Sequence, residues 1–296
     1  MIFRPIETHD KNQYENLLSG HTGKGCEFTF ANLILWGERL ISFVDDHVVI
    51  FSNFEGRRYY FVLVGECDTK SLFDGIFEDA AKRGVKPFFI GIYDREKGLL
   101  EQHYPGEFDF PTSRGSYDYI YSIDDLADLS GKKYHRKRNH LSQFQKACPN
   151  FCVQPITAAI LPEVAAMADE WYKKRAVDAP DLDFETEKIA LDRAISNYDA
   201  LGMDGLVLMC GERIIAFTMA SRMYEDTMDI HFEKAVLDIN GAYTAINYEF
   251  ARYIRAKYPE VKFLDREEDM GIEGLRKAKE SYYPHHLVEK YRAVKK

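Results

Sequence analysis

The sequence predicts an α+β protein made of two repeats, each with a mixed sheet. Three observations lead there. Both halves run through the same order of segments: helix, helix, antiparallel strands, helix, strand, helix, strand. The strand-rich blocks "LISFVDDHVVIFSNFEGRRYYFVLVG" and "DGLVLMCGERIIAFTMASRMYEDTMDIHFEKA" hold matching places in that order. The segments "YDREKGLLEQHYP" and "LDREEDMGIEGLRKAKESYYP" correspond near the two ends.

In the first half, helices are expected over Lys11–Leu18 and in "TFANLILW". Turns at "DD" and "NFEG" then divide the strand block. "DTKSLFDGIFEDAAKRG" is a helix: Asp68 or Thr69 caps it, Leu72, Ile76, Phe77 and Ala80 form its apolar face, and Gly84 ends it. "KPFFIGIY" is a buried strand, "REKGLLEQHYP" a short helix and "YDYIYS" a strand.

In the second half, "ILPEVAAMADEWYKKR" and "ETEKIALDRAISNYDALG" are amphipathic helices. Three strands follow, with turns at "CGER" and "YED". "GAYTAINYEFARYIRAKYP" is a helix, "VKFLD" a strand, "GIEGLRKAKESYYP" a helix and "HHLVEKYRAV" a last strand. The expected domains are an N-terminal repeat over 1–125, a basic linker helix over 126–153 and a C-terminal repeat over 154–296.

The chain has 296 residues and a formal net charge of −9. That balance argues against a general nucleic-acid coat, DNA included, or an anionic-membrane coat. Five cysteines (Cys26, Cys67, Cys148, Cys152, Cys210) without a paired framework fit a reduced compartment. The spacing in "CPNFC" does not suit a zinc pair, so no metal is expected. No apolar stretch reaches the roughly 20 residues that span a bilayer, and the N-terminus does not read as a signal peptide. The expected location is the cytoplasm.

Against that acidic balance, "GKKYHRKRNHLSQFQK" holds six cations and no acid. With Tyr134 as the centre of a helical face, Leu141, Phe144 and Cys148 form the buried stripe, and Arg138 falls about 40° from Tyr134. Arg138 is therefore expected to face inward, toward an internal carboxylate or an anionic ligand, with Asn139 as a further substrate-binding candidate. Lys132 and Arg136 are expected to face solvent. With Lys137 they make a modest docking patch for a polyanion, tRNA being the best guess.

The tail helix repeats the pattern. Ile272, Leu275, Tyr282 and Tyr283 mark an apolar stripe into which Arg276 and Lys279 fall. Inward cations suggest an anion site or ion pairs with nearby acids. In "REEDMG", Asp269 could cap the helix, while Glu267 and Glu268 could hold an ammonium. In "TMDIHFEKA", alternation sends Met228, Ile230 and Phe232 one way and Asp229, His231 and Glu233 the other.

The repeated order is similar to the GNAT (acyl-CoA N-acyltransferase) fold present twice, with two GNAT-like repeats packed side by side. The blocks "SIDDLADLSGKKYHRKRNHLSQFQK" and "AVLDINGAYTAINYEFA", with the tail "REEDMGIEGLRKAKESYYPHHLVEKY", resemble the phosphatidylglycerol lysyltransferase C-terminal domain family, a relative of the Fem peptidyltransferases. The resemblance covers nearly the whole chain. It implies a bacterial transferase that moves an acyl or aminoacyl group to an amine or hydroxyl in a cavity of the C-terminal repeat. The donor it allows is an aminoacyl-tRNA. It also implies that "TMDIHFEKA" lines the transfer site. Asp229, His231 and Glu233 are then the acid/base candidates, and Tyr282 and Tyr283 the candidates to protonate a leaving group.

GNAT enzymes that use acyl-CoA hold its pyrophosphate on a small-residue turn at a helix N-terminus. Here only Asn240, Gly241 and Ala242 offer such a turn, with Asp238 a repelling charge nearby. Acyl-CoA is thus the alternative donor. Other readings are a CoA-dependent N-acetyltransferase and a non-catalytic metabolite-binding protein on a transferase scaffold.

Overall fold

The computed structural model describes residues 1–19, 25–54, 56–178 and 184–296. The first strands and helices are β1 (Arg4–Pro5), α1 (Lys11–Leu18), α2 (Phe30–Leu35), β2 (Glu38–Val44), β3 (His47–Phe54) and β4 (Arg57–Leu63). Then come α3 (Thr69–Lys82), β5 (Phe88–Ile92), α4 (Asp94–His103), β6 (Phe108–Asp109), β7 (Asp118–Ser122) and α5 (Ile123–Asp128). The second half holds α6 (His135–Ala147), β8 (Phe151–Pro155), α7 (Leu161–Asp178), α8 (Glu185–Ser196), β9 (Met203–Cys210), β10 (Arg213–Tyr224) and β11 (Thr227–Ala235). It closes with α9 (Ala242–Lys257), β12 (Phe263–Asp265), α10 (Glu273–Glu280), β13 (His286–Val288) and β14 (Tyr291–Lys295). Of the turn expected over 53–56, Glu55 lies outside the described residues.

Among the described residues the strands form two seven-stranded sheets, ordered β1-β2-β3-β4-β5-β14-β6 and β13-β7-β12-β11-β10-β9-β8. Read from β8, the second repeats the first. An antiparallel run of four strands steps to a fifth through a parallel pair, β4 with β5 and β11 with β12. A parallel step needs a crossover, and α3 and α9 supply it. The Asp68 carboxylate caps α3 by accepting from the Ser71 N–H at 3.0 Å. That helix buries Leu72, Phe73, Ile76 and Ala80 in the first core, with Val49, Val62 and Phe89. Along α9, Ala242, Ala245, Ile246, Phe250 and Ile254 enter the second core, with Met228, Ile230 and Leu264.

The compact units differ from the partition at 125 and 154. One comprises Met1–Asp118, Glu268–Ile272 and Val288–Lys296; the other comprises Tyr119–Glu267 and Glu273–Leu287. Strand exchange is the reason. β14 fills the sixth place of the first sheet, antiparallel to β5 and β6, while β7 fills the sixth place of the second, antiparallel to β12. "HHLVEKYRAV" is accordingly two strands, broken at Glu289 and Lys290. The segment 126–153 is likewise not one helix. It holds the end of α5, a 3-10 turn over Lys132–Tyr134, α6 and the start of β8. Among the described residues, no helix is long and apolar enough to cross a membrane.

Candidate functional site

β11 lies between β10 and β12, and both of its faces are covered. The parallel ladder with β12 pairs Thr227, Met228 and Asp229 with Phe263, Leu264 and Asp265 and goes no further. Past Asp229 and Asp265 the strands part. The ionisable groups of β11 and of the loop after β12 gather around that parting.

The expected single row on β11 is divided. On β10, Met219 stands opposite Phe232 and Ala220 opposite Ile230, so His231 has no opposite number. This is a β-bulge, and it shifts the alternation of the strand. Ala235 joins Met228 and Ile230 in the core around α9, and Glu233 accepts a hydrogen bond from Asn247 of α9 at 3.2 Å.

Asp229 and His231, both buried, form one group with Ser221 and Glu267. The Ser221 hydroxyl lies 2.8 Å from His231 Nε2. On the other side of the ring, Nδ1 lies 3.4 Å from Glu267 Oε1 and 3.6 Å from Asp229 Oδ2. With two carboxylates beside Nδ1, the proton of the neutral ring belongs there, and Nε2 accepts from Ser221.

The second group centres on Glu233. Arg266 Nη2 donates to Glu233 Oε1 at 2.8 Å, and both side chains are largely buried. The Arg266 Cζ lies 5.0 Å from the Tyr282 ring centroid, and Lys137 Nζ lies 3.4 Å from the same centroid. Burial, then the repulsion of Arg266, lowers the Lys137 ammonium to about 8. Burial raises the Tyr282 hydroxyl to about 12, so it keeps its proton at neutral pH and can donate it.

Several expected site residues lie elsewhere. Arg138 donates to the carbonyls of Leu129 (2.5 Å) and Gly131 (2.8 Å), just beyond the end of α5. The sequence reading anchored its helical face on Tyr134, which belongs to the 3-10 turn. Measured from the buried Phe144, Lys137 falls about 20° away and Arg138 about 120°. Lys132, Arg136 and Asn139 are exposed, as is Tyr283, whose ring packs edge-on to Tyr134 at 5.6 Å. Arg276 is half-buried. Lys279 is buried, but its ammonium is held by the carbonyls of Arg266 and Glu267 (3.0 Å to the latter). It fixes the loop that presents those two side chains.

The acids of "REEDMG" separate. Glu267 joins His231, while Glu268 and Asp269 belong to the first unit. There Glu268 Oε2 accepts from Cys26 Sγ at 3.4 Å. Asp269 accepts from the Gly271 N–H at 2.8 Å and lies 3.4 Å from Arg114.

The turn Asn240–Ala242 is covered by α6. Gly241 has φ +86°, and a Cβ there would come within 2.1 Å of the His140 carbonyl oxygen. Asn240 donates to Gln143 Oε1 at 2.8 Å. The helix end that would hold the pyrophosphate of the alternative donor, acyl-CoA, is thus packed against protein.

Sequence reasoning missed Arg266, Ser221 and Asn247. Arg266 opens the motif whose acids drew attention, and that was its one signal. It also missed a buried cluster in the first unit. Lys290 Nζ lies 2.7 Å from both Glu27 Oε2 and Asp118 Oδ2 and 3.6 Å from Cys26 Sγ. Burial disfavours the Lys290 charge, but Asp118, Cys26 and Glu27 outweigh it and raise the ammonium; burial raises the Asp118 carboxyl. Among the described residues, two sets of side chains have ligand atoms close enough to share a metal ion: Asp229, His231 and Glu267, and Cys26, Glu27 and Asp118. In the second set the Lys290 ammonium already stands among the ligand atoms.

The chain is similar over its full length to a conserved protein of unknown function from Bacteroides thetaiotaomicron, with 35% identity, a TM-score of 0.93 and 100% of each chain covered. The C-terminal domain of a putative lysylphosphatidylglycerol synthetase from Agrobacterium fabrum has the same fold (14% identity, TM-score 0.68, 97% of this chain and 92% of that one). So does FemX (12% identity, TM-score 0.64, 99% and 97%). A curated relative, an uncharacterized protein of Mycoplasmoides gallisepticum, is 24% identical over 180 residues; the match spans 60% of this chain and 55% of that protein. Two mixed sheets of one topology, and a match over residues 22–294 to the family described as "Phosphatidylglycerol lysyltransferase, C-terminal", lead to one assignment: the chain is a tandem GNAT-like, acyl/aminoacyl-transferase-like scaffold and belongs to that family.

Proposed function

We propose that the protein transfers an aminoacyl group from an aminoacyl-tRNA to an amine or hydroxyl acceptor, at the parting of β11 and β12. The observation that carries this is the gathering of opposite kinds of charge there. Asp229 and Glu267 beside His231 suit the ammonium of an aminoacyl group. His231 Nε2 takes the proton of the attacking nucleophile, through the Ser221 hydroxyl, and the two carboxylates stabilise the resulting imidazolium. As the acyl C–O bond breaks, Tyr282 gives its proton to the departing ribose oxygen, and the proton held by His231 returns to the tyrosinate through solvent. Orientation and electrostatics carry the rate. The packing of Gly241 against His140 supports an aminoacyl ester over acyl-CoA as the donor.

The test is loss of label from aminoacyl-tRNAs under single turnover, with the low-molecular-mass fraction of a cell extract as acceptor source. CoA release from acetyl-CoA is measured in parallel. Aminoacyl-tRNA turnover that disappears in His231→Gln is expected. Turnover of acetyl-CoA alone would move the assignment to an N-acetyltransferase. Binding without turnover of either donor would favour the metabolite-binding reading.

A further inference from the structure

The group around Glu233 has more positive charge than its own acid can neutralise. Lys137 and Arg266 both face the Tyr282 ring, at 3.4 Å (Nζ) and 5.0 Å (Cζ) from its centroid. Among the described residues one carboxylate, Glu233, answers them, and it engages Arg266 through Nη2. Arg266 Nη1 is buried without a hydrogen-bond partner among the described residues, and so is Asn247 Oδ1. Lys137 spends one N–H on Ser281 Oγ at 2.6 Å and has two left. One donor on a buried cation, Arg266 Nη1, and one amide acceptor, Asn247 Oδ1, are therefore unsatisfied among the described residues on either side of Glu233, and Lys137 keeps N–H groups to spare at the Tyr282 ring that Arg266 also faces. Thr244 and Tyr282 add hydroxyls, 3.5 Å apart. Buried polar atoms in folded proteins are hydrogen-bonded with few exceptions, and each exception calls for an explanation, such as a bound water, an ion or a role in catalysis.

We propose that Lys137, Arg266 and Asn247 form an oxyanion subsite for a substrate's carboxylate or phosphate group. Arg266 Nη1 and Lys137 Nζ donate to the oxyanion. Asn247 Oδ1 accepts from a hydroxyl or N–H next to it. The subsite deepens the transferase reading, on which its place in catalysis rests, by naming the anionic group that one substrate carries. Binding is measured without turnover, so the subsite can fail while transfer stands, and the reverse.

The experiment is isothermal titration of the full chain at neutral pH and fixed ionic strength. The probes are inorganic phosphate, acetate and glycolate. Wild type is compared with Lys137→Met and Glu233→Gln, and the thermal transition of each variant confirms folding. Saturable one-to-one binding of phosphate or glycolate is expected. Lys137→Met, a change at a half-buried side chain, weakens it about tenfold, as for loss of one charge-assisted hydrogen bond. Glu233→Gln removes the competing carboxylate and tightens it. The stronger probe tells phosphate from carboxylate, and glycolate over acetate identifies the Asn247 contact. No saturable binding of any probe, or equal affinities in wild type and both variants, would overturn the subsite.

Discussion

Lys137 is held charged in a place that disfavours the charge. Its ordinary value of 10.5 falls to about 8, because burial and Arg266 oppose the ammonium more than Glu233 favours it. Between those two values the unfolded chain keeps a proton that the folded chain has lost, so stability rises with pH across that window. Below about 8 the cost is fully present. Urea midpoints of wild type and Lys137→Met, measured near pH 7 and near pH 9.5, should differ in a definite direction: wild type gains on the variant as pH rises. A constant difference would place the ammonium in water. His231 gives a kinetic counterpart. His231→Gln should lower transfer by about 10²–10⁴-fold, with the loss in kcat, as for removal of a general base. Lys290 gives a structural one. Lys290→Met leaves Asp118 and Glu27 buried without their cation, and should destabilise by about 3–5 kcal/mol in denaturant titration.

At the scale of elements, helix and strand types follow from periodicity, while their rotations do not. The Leu72, Ile76 and Ala80 stripe of α3 and its Asp68 cap are plain in the sequence. The face of α6 is not, since a 3-10 turn ahead of it advances about 120° per residue and offsets any count begun at Tyr134. The bulge at His231 is hidden for a similar reason. Alternation of polar and apolar types continues through "MDIHFEK", while the backbone does not. Carboxylates that read as one row thus serve two groups, and Arg266 was legible as a charge without a role. Gly241 is legible as a turn, but its reason is the carbonyl of a helix about 100 residues earlier. Gly241→Ala should therefore cost at least about 1–3 kcal/mol of stability, from the left-handed backbone and the contact with His140, read as a lowered denaturation midpoint.

At the scale of the whole molecule, the repeat was legible and the exchange of strands was not. Segment order survives the exchange, because β7 and β14 each follow their own half in sequence while pairing in the other sheet. Local pattern holds no record of a partner about 200 residues away. The exchange also imposes an order on folding. β5 and β6 flank a place that stays empty until residues 291–295 exist, whereas β7 is made before the sheet it joins. During synthesis the first half therefore waits as an open sheet with unpaired edges, exposed to the hazards that slow, non-local pairing brings. The second sheet already holds its borrowed strand when its own last strand is made. A nascent chain halted after residue 288 should show protease resistance over residues 119–265 and cleavage within residues 86–110. Extension through β14 should add protection over residues 86–110, making that strand a clasp for the first sheet.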